Sequence, residues 1–226
     1  MNFIDKLICE VDAGLRTTFA PAYADRPLPA DVEKSLTQNG AESTEISTLP
    51  STYSALDSAS REKSIRLMRV NHAGEVSAQA LYQGQALVAK SPETRAVLEH
   101  AAREERDHLA WCGSRLNELG GTTSRLNPLF YAGSFALGIA SGVLGDKWSM
   151  GFLVETERQV EAHLSDHLGR LPEADGRSRR ILEAMREDEI HHGQTGVAHG
   201  AASLPAPVQT VMKAVSTLMT RSAYWV

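Results

Sequence analysis

Apolar positions recur at three- and four-residue intervals through four long stretches, while strand-like alternation is scarce, so the pattern predicts an all-α chain. From Ser60 to Lys90 the face formed by Met68, His72, Glu75, Gln79, Tyr82 and Ala86 keeps a helical rhythm. A second helix is capped by Ser91, has Pro92 in its first turn and stops at Gly120-Gly121. Its inward stripe is Leu98, Ala101, Glu105, His108, Cys112 and Leu116. A third helix is predicted from about Asp146 to Gly169, through Val154, Glu157, Val160, Glu161 and Leu164, with Pro172 beyond it. The fourth runs from about Asp175 to Gly200 and places Ile181, Met185, Glu189 and His192 on one side.

The rest of the chain is less regular. Residues 1–58 form a poorly patterned N-terminal arm, leaving 59–226 as one helical domain. Phe3, Ile4, Leu7, Ile8 and Leu15 fit one short amphipathic helix. Pro21, Pro27, Pro29 and the polar stretch Gln38 to Ser54 read as arm or linker, and no chemistry is expected there. Between the two helix pairs, Leu129 to Gly145 carries no charge but is interrupted by Gly133, Ser134, Gly138, Ser141 and Gly142. A bilayer span needs roughly 20 apolar residues, so this segment is short for one. Two readings stand: a buried crossover helix packed closely through Gly138 and Gly142, or a segment dipping into one leaflet. Near the end, Val208, Val211, Met212, Val215, Leu218 and Met219 trace an apolar face finished by Tyr224-Trp225-Val226. That face suits a water–lipid boundary or packing on a bundle equally well.

Composition narrows the function class. With 23 Lys and Arg against 28 Asp and Glu, the formal net charge is −5, which disfavours nucleic acid as a partner. Cys9 and Cys112 have no CxxC spacing, as expected of a reduced, cytosolic or cytosol-facing protein. The opening MNFIDKLICE holds Asp5 and Glu10 within its apolar stretch and is not expected to be a signal peptide.

The chemistry lies in a doubled motif. Glu105-x-x-His108 and Glu189-x-x-His192 stand 84 residues apart, and each follows a lone upstream glutamate, Glu75 or Glu157. A Glu and a His three apart share one helix face and can reach one ion. A carboxylate on an apolar stripe costs several kcal/mol unless its charge is compensated, and any single one could sit at a stripe edge. Four at once, two of them with His at +3, point instead to a dinuclear metal centre. Carboxylate oxygens with two imidazoles suit iron or manganese, and no cysteine has ligand spacing. Around these six, His72, His163, Asp107 and Asp188 are candidates to orient ligands by hydrogen bonds, or are plain surface or core residues. Tyr82 lines the pocket or fills core. His191 lacks the +3 spacing, and His100, His167 and His199 lack a phased partner.

The ligand pattern resembles that of ferritin-like di-iron bundles, in which two helices each give a Glu and two others each give a Glu-x-x-His. Within that class, Arg69-Val70-Asn71-His72-Ala73-Gly74-Glu75 followed by Tyr82-Gln83-Gly84-Gln85, the Glu-Arg-Asp-His helix, the Gly/Ala-rich middle helix and the late Glu-x-x-His resemble, in order, the demethoxyubiquinone hydroxylases of ubiquinone biosynthesis, bacterial branch. The similarity covers about residue 60 to the end, and Asn71 stands where the family more often has Asp. The resemblance implies a ferritin-like four-helix bundle with a Gly/Ala-rich crossover helix and a C-terminal amphipathic helix. It implies a di-iron monooxygenase that uses O2 to hydroxylate a polyprenyl quinone precursor. Carried over by position, Glu75, Glu105 and His108 serve the first iron and Glu157, Glu189 and His192 the second, with Glu105 and Glu189 bridging. The resemblance also implies a peripheral place on the cytoplasmic face of the bacterial membrane, ubiquinone-pathway proteins as partners, and lipid contact through 129–145 and the C-terminal helix. The competing readings are a ferritin-like iron-oxidising or storage protein, which the uncharged middle segment disfavours, and another di-iron hydroxylase acting on RNA, which calls for a basic face this chain lacks.

Overall fold

The computed structural model describes residues 3–31 and 56–226; the linker expectation for Gln38 to Ser54 falls outside them. Seven helices have both ends among the described residues: α1 (Phe3–Phe19), α2 (Ser58–Val88), α3 (Pro92–Leu119), α4 (Asn127–Val143), α5 (Asp146–Arg170), α6 (Gly176–Ala198) and α7 (Ala206–Trp225). No strand occurs among the described residues, and the chain is all-helical, as the periodicity predicts.

Local chemistry sets the helix ends. Asp57 accepts from the Ser60 amide at 2.8 Å to start α2, Ser91 from the Thr94 amide at 3.0 Å to start α3, and Asp175 from the Ser178 amide at 3.0 Å to start α6. Gly120 closes α3 in the left-handed region at φ 73°, which a side chain rarely adopts. Asp146 accepts from the amides of Lys90 and Ser91 at 3.0 and 2.8 Å, so the start of α5 is pinned to the α2–α3 turn.

The four long helices α2, α3, α5 and α6 make the bundle, pairing α2 with α3 and α5 with α6. Their apolar stripes bury two clusters. One holds Leu67, Met68, Trp111, Leu116, Leu164, Leu168, Ile181 and Met185, and the other holds Leu81, Tyr82, Leu98, Ala101, Met150 and Leu153. Along α2, α3 and α5 the ligand candidates fall between these clusters, and along α6 they follow the first, so apolar layers lie on both sides of the polar one.

Helices α1, α4 and α7 pack on α2 from outside the bundle. The crossover helix α4 lies so close to α2 that a Cβ at Gly138 would strike the Leu81 carbonyl, and one at Gly84 the Phe135 carbonyl. Close packing through Gly138 is therefore real, yet Leu129, Leu137 and Val143 stay exposed. α7 divides its apolar residues in the same way. Met219 receives the Ser77 hydroxyl and Ala223 is buried, while Val211, Val215 and Leu218 face outward. No described helix is long and apolar enough to cross a membrane.

Candidate metal centre

Each bundle helix delivers its share of one polar layer. α2 supplies Glu75, α3 supplies Glu105 and His108, α5 supplies Glu157, and α6 supplies Glu189 and His192; all are buried, the most exposed being His192 at 5%. Their donor atoms fall into two groups, each within 4.8 Å: Glu75, Glu105, His108 and Glu189, and then Glu105, Glu157, Glu189 and His192. Glu105 and Glu189 belong to both groups.

The Nδ1 atoms of both imidazoles face the middle. His108 Nδ1 lies 3.2 Å from Glu105, 3.3 Å from Glu189 and 3.5 Å from Glu75. His192 Nδ1 lies 3.3 Å from Glu189 and 3.5 Å from both Glu105 and Glu157. The two halves are thus related by an approximate twofold axis between the shared glutamates. Their outer nitrogens repeat the relation: His108 Nε2 is 2.9 Å from Asp188, and His192 Nε2 is 2.7 Å from Glu104. Asp188 directly precedes Glu189 and Glu104 directly precedes Glu105, so each helix orients the imidazole of the other.

The electrostatics describe a site built for positive charge. Burial pushes the Glu75 and Glu157 carboxyls well above the usual range, and the neighbouring Glu105 or Glu189 charge adds to it. Burial opposes ionisation of Glu105 too, but hydrogen bonds from His108 and His192 outweigh it and hold that carboxyl low. Both imidazoles resist the cost of burial and keep a raised affinity for protons because acidic groups surround them, Asp188 foremost for His108 and Glu104 for His192. Burial also works against the Asp188 charge, yet its bonds to His108 and Arg26 bring that group down to about 2.

A cation fits these residues. Each of the four glutamates keeps one buried oxygen without a hydrogen-bond partner: Glu75 Oε2, Glu105 Oε1, Glu157 Oε2 and Glu189 Oε1. Leaving such atoms unsatisfied costs on the order of 1–3 kcal/mol each, more for charged groups, and a metal ion would remove that penalty for all four. With Nε2–H donated to an acid, each Nδ1 lone pair is turned inward to serve as a ligand.

The other sequence candidates sort by contact. Asp188 holds His108, and Tyr82 donates its hydroxyl to Glu157 Oε1 at 2.5 Å. Asp107 turns away from the centre, accepting from Arg26 at 2.8 Å and from the Asp25 amide at 2.7 Å. His72 sits beside Asn127, and the His163 ring lies tilted against His167 with centroids 3.9 Å apart; neither has a described hydrogen bond to the six. Burial lowers both imidazoles to about 4, so they stay neutral.

Sequence reasoning missed Glu104 and Arg26. The signal for Glu104 was present, because the doubled motif extends one residue back to an acid in both copies. Arg26 had none: it comes from the arm, where no chemistry was expected, and its guanidinium bridges Asp107 and Asp188 while lying 4.7 Å over the Trp111 ring. His167, set aside for want of a phased partner, pairs instead with Asn71 at 2.9 Å.

Comparison with known proteins identifies the family. The family model described as "Ubiquinone biosynthesis protein COQ7" matches residues 62–223, which include all six ligand candidates. A Nitrosomonas europaea protein named 3-demethoxyubiquinol 3-hydroxylase is 54% identical over 223 residues, covering 99% of both chains. Proteins of the same name from Nitrosospira multiformis and Polynucleobacter necessarius are 52% and 51% identical, covering 100% of both chains in the first case and 99% of both in the second. The chain belongs to the COQ7 family of ubiquinone biosynthesis proteins.

Proposed function

We propose that this chain is an O2-dependent hydroxylase of a demethoxyubiquinol ring, with two iron ions held by Glu75, Glu105, His108, Glu157, Glu189 and His192. The observation that supports this reading is the pair of overlapping donor groups that share Glu105 and Glu189, the residues that would bridge two ions. The relatives' shared name supplies the substrate.

The reaction inserts one oxygen atom of O2 into a ring C–H bond and reduces the other to water, consuming two electrons and two protons. Bound iron supplies the means of activating O2, which no side chain of this centre can do. The protein's part is positional. Asp188 and Glu104 fix the imidazole rings, and the Tyr82 hydroxyl holds one oxygen of Glu157. The two apolar layers keep bulk water from the polar one.

A polyprenyl quinol is nearly insoluble in water, so its ring reaches the centre from lipid. Leu129, Val211, Val215 and Leu218 are exposed on α4 and α7, and burying each one stabilises docking by roughly 1.5–3 kcal/mol. A cavity of about 30 Å³ runs from Glu75, past Gly74 and His163, to Met219 of α7. It is far too small for a ring. The exposed apolar residues support a peripheral place on a membrane; the cytoplasmic face and ubiquinone-pathway partners follow from the family resemblance.

Iron per purified chain is the first test: two ions in the unaltered protein, fewer in Glu189→Ala and His192→Ala with helical content kept. Full occupancy in both variants would refute the ligand assignment. Expression in cells lacking their own hydroxylase tests the substrate, with conversion of the accumulated demethoxy precursor expected.

A further inference from the structure

The two outer imidazole nitrogens are equivalent by the approximate twofold axis, but their surroundings are not. Beyond His108, Asp188 is bonded at 2.9 Å to Arg26, which also holds Asp107 and covers Trp111. A fixed guanidinium therefore closes that mouth and repels an approaching cation. Beyond His192 lies an open cavity of about 360 Å³ between α3, α5 and α6, walled by Val97 and Leu153. Its polar groups are His100, Glu104, His191, His192 and Thr195, with no lysine or arginine among the lining residues.

These groups form a graded path inward. The His100 side chain is 62% exposed, Glu104 24% and His192 5%, and one oxygen, Glu104 Oε2, is 2.9 Å from His100 Nδ1 and 2.7 Å from His192 Nε2. His191 is exposed beside them. Imidazoles at the rim, one carboxylate below them and a ligand imidazole at the floor make a donor set for a first-row divalent cation. A cation engaging Glu104 also competes for the oxygen that fixes His192, freeing that ring to turn and pass the ion inward.

We infer that this vestibule is a transient divalent-cation site through which iron reaches the centre, and that Arg26 seals the equivalent route on the other side. The inference rests on the six-ligand reading under "Proposed function". An acidic mouth with no lysine or arginine in its lining raises local cation concentration and capture rate, whereas the second mouth has Arg26 in direct contact with its carboxylates.

The test mixes anaerobic apoprotein with ferrous ion and follows uptake by trapping unbound iron with a coloured chelator. The double variant His100→Ala/His191→Ala changes exposed residues only, so its fold and final iron content stay as in the unaltered chain. Its uptake slows by roughly tenfold, the lower end of what removing supporting groups costs a metal site, while the Glu104 charge stays in place. Adding Arg26→Ala opens the second mouth and restores much of the rate. Uptake at the unaltered rate in the double variant, or no recovery with Arg26→Ala, would overturn the inference while leaving the centre intact. A lowered final iron content in the double variant would overturn it too, by making the rim histidines ligands rather than a passage. An unaltered chain that binds no iron would instead refute the six-ligand reading itself.

Discussion

Around His108 the outer nitrogen meets Asp188, which Arg26 ties to Asp107; around His192 the same nitrogen meets Glu104, whose other neighbour is the exposed His100. The upstream glutamates differ in the same way. Tyr82 stands seven residues after Glu75, crosses the bundle and donates to Glu157, whereas Leu164, seven after Glu157, is apolar and lines the cavity beside Glu75. Ligand types match in both halves, as two like ions would require of their donor sets. Nothing imposes that match one contact further out, and there the halves part: one is clamped by the arm, the other is open to solvent and braced by a phenol. Two ions in such a centre differ in affinity and exchange rate although their ligands are the same.

The most severe way to break the comparison is to remove what the halves share. Glu105→Ala or Glu189→Ala takes a ligand from both groups, so both ions are lost and hydroxylation falls below detection. Glu75→Ala or Glu157→Ala takes a ligand from one group and leaves the other ion bound. Iron per chain separates the two outcomes directly, and equal loss from Glu75→Ala and Glu189→Ala would refute the bridging roles. Stripping the ions with a chelator lowers the thermal midpoint in the unaltered protein. An ion present at 100 times its dissociation constant contributes about 2.7 kcal/mol, so two contribute about twice that.

Smaller and more selective effects follow from the groups behind the imidazoles. Asp188→Asn and Glu104→Gln keep an acceptor for Nε2–H but remove its charge, and each weakens its own ion by roughly 10- to 100-fold. In a stepwise metal titration one binding step shifts and the other stays. Asp188→Asn shifts it further, because the mutation also leaves Arg26 facing a neutral group. Arg26→Ala acts one contact further away and leaves the buried Asp107 without its charged partner, so it costs about 1–3 kcal/mol of stability, read from the thermal midpoint. A shift of both binding steps by either charge-removing variant would show that the halves are coupled rather than separate.

How much of this was legible in the sequence depended on whether a residue's partner lay on its own helix. Ser91-Pro92, Gly120-Gly121 and Asp175 mark helix ends by local chemistry, and the structure puts α3 and α6 within two residues of those marks. The +3 spacing puts Glu and His on one face, which is also a local fact. Glu104, Arg26 and the Tyr82 hydroxyl act across helices, and a single periodicity cannot show which helix will face them. Asp107 illustrates the error: chosen for its nearness in sequence to His108, it points away from the centre to Arg26 because adjacent helix positions diverge by about a quarter turn or more. The arm's role was invisible because the stretch around Arg26 has no period at all, and only the fold brings it against α3 and α6.

Tyr82→Phe is the mildest probe and the one aimed most narrowly at the asymmetry. The hydroxyl is fully buried and makes one described hydrogen bond, to Glu157, so its removal leaves the ring packing in place and deletes a single contact. Glu157 Oε2 is already without a partner, and losing the phenol leaves the other oxygen short of one as well. In the metal-free protein the cost is that of an unsatisfied buried acceptor, about 1–3 kcal/mol. Bound iron can take up the freed oxygen, so the loaded protein loses less stability than the stripped one. The expected signature is therefore a larger drop in thermal midpoint without iron than with it, together with second-ion affinity changed by only a few-fold. It would also bring the two irons closer in environment, because the phenol marks one half alone, and their separate Mössbauer doublets should move toward each other. Equal destabilisation with and without iron would mean that the phenol serves packing only, and the difference between the halves would then reduce to Arg26 and the open mouth beside His192.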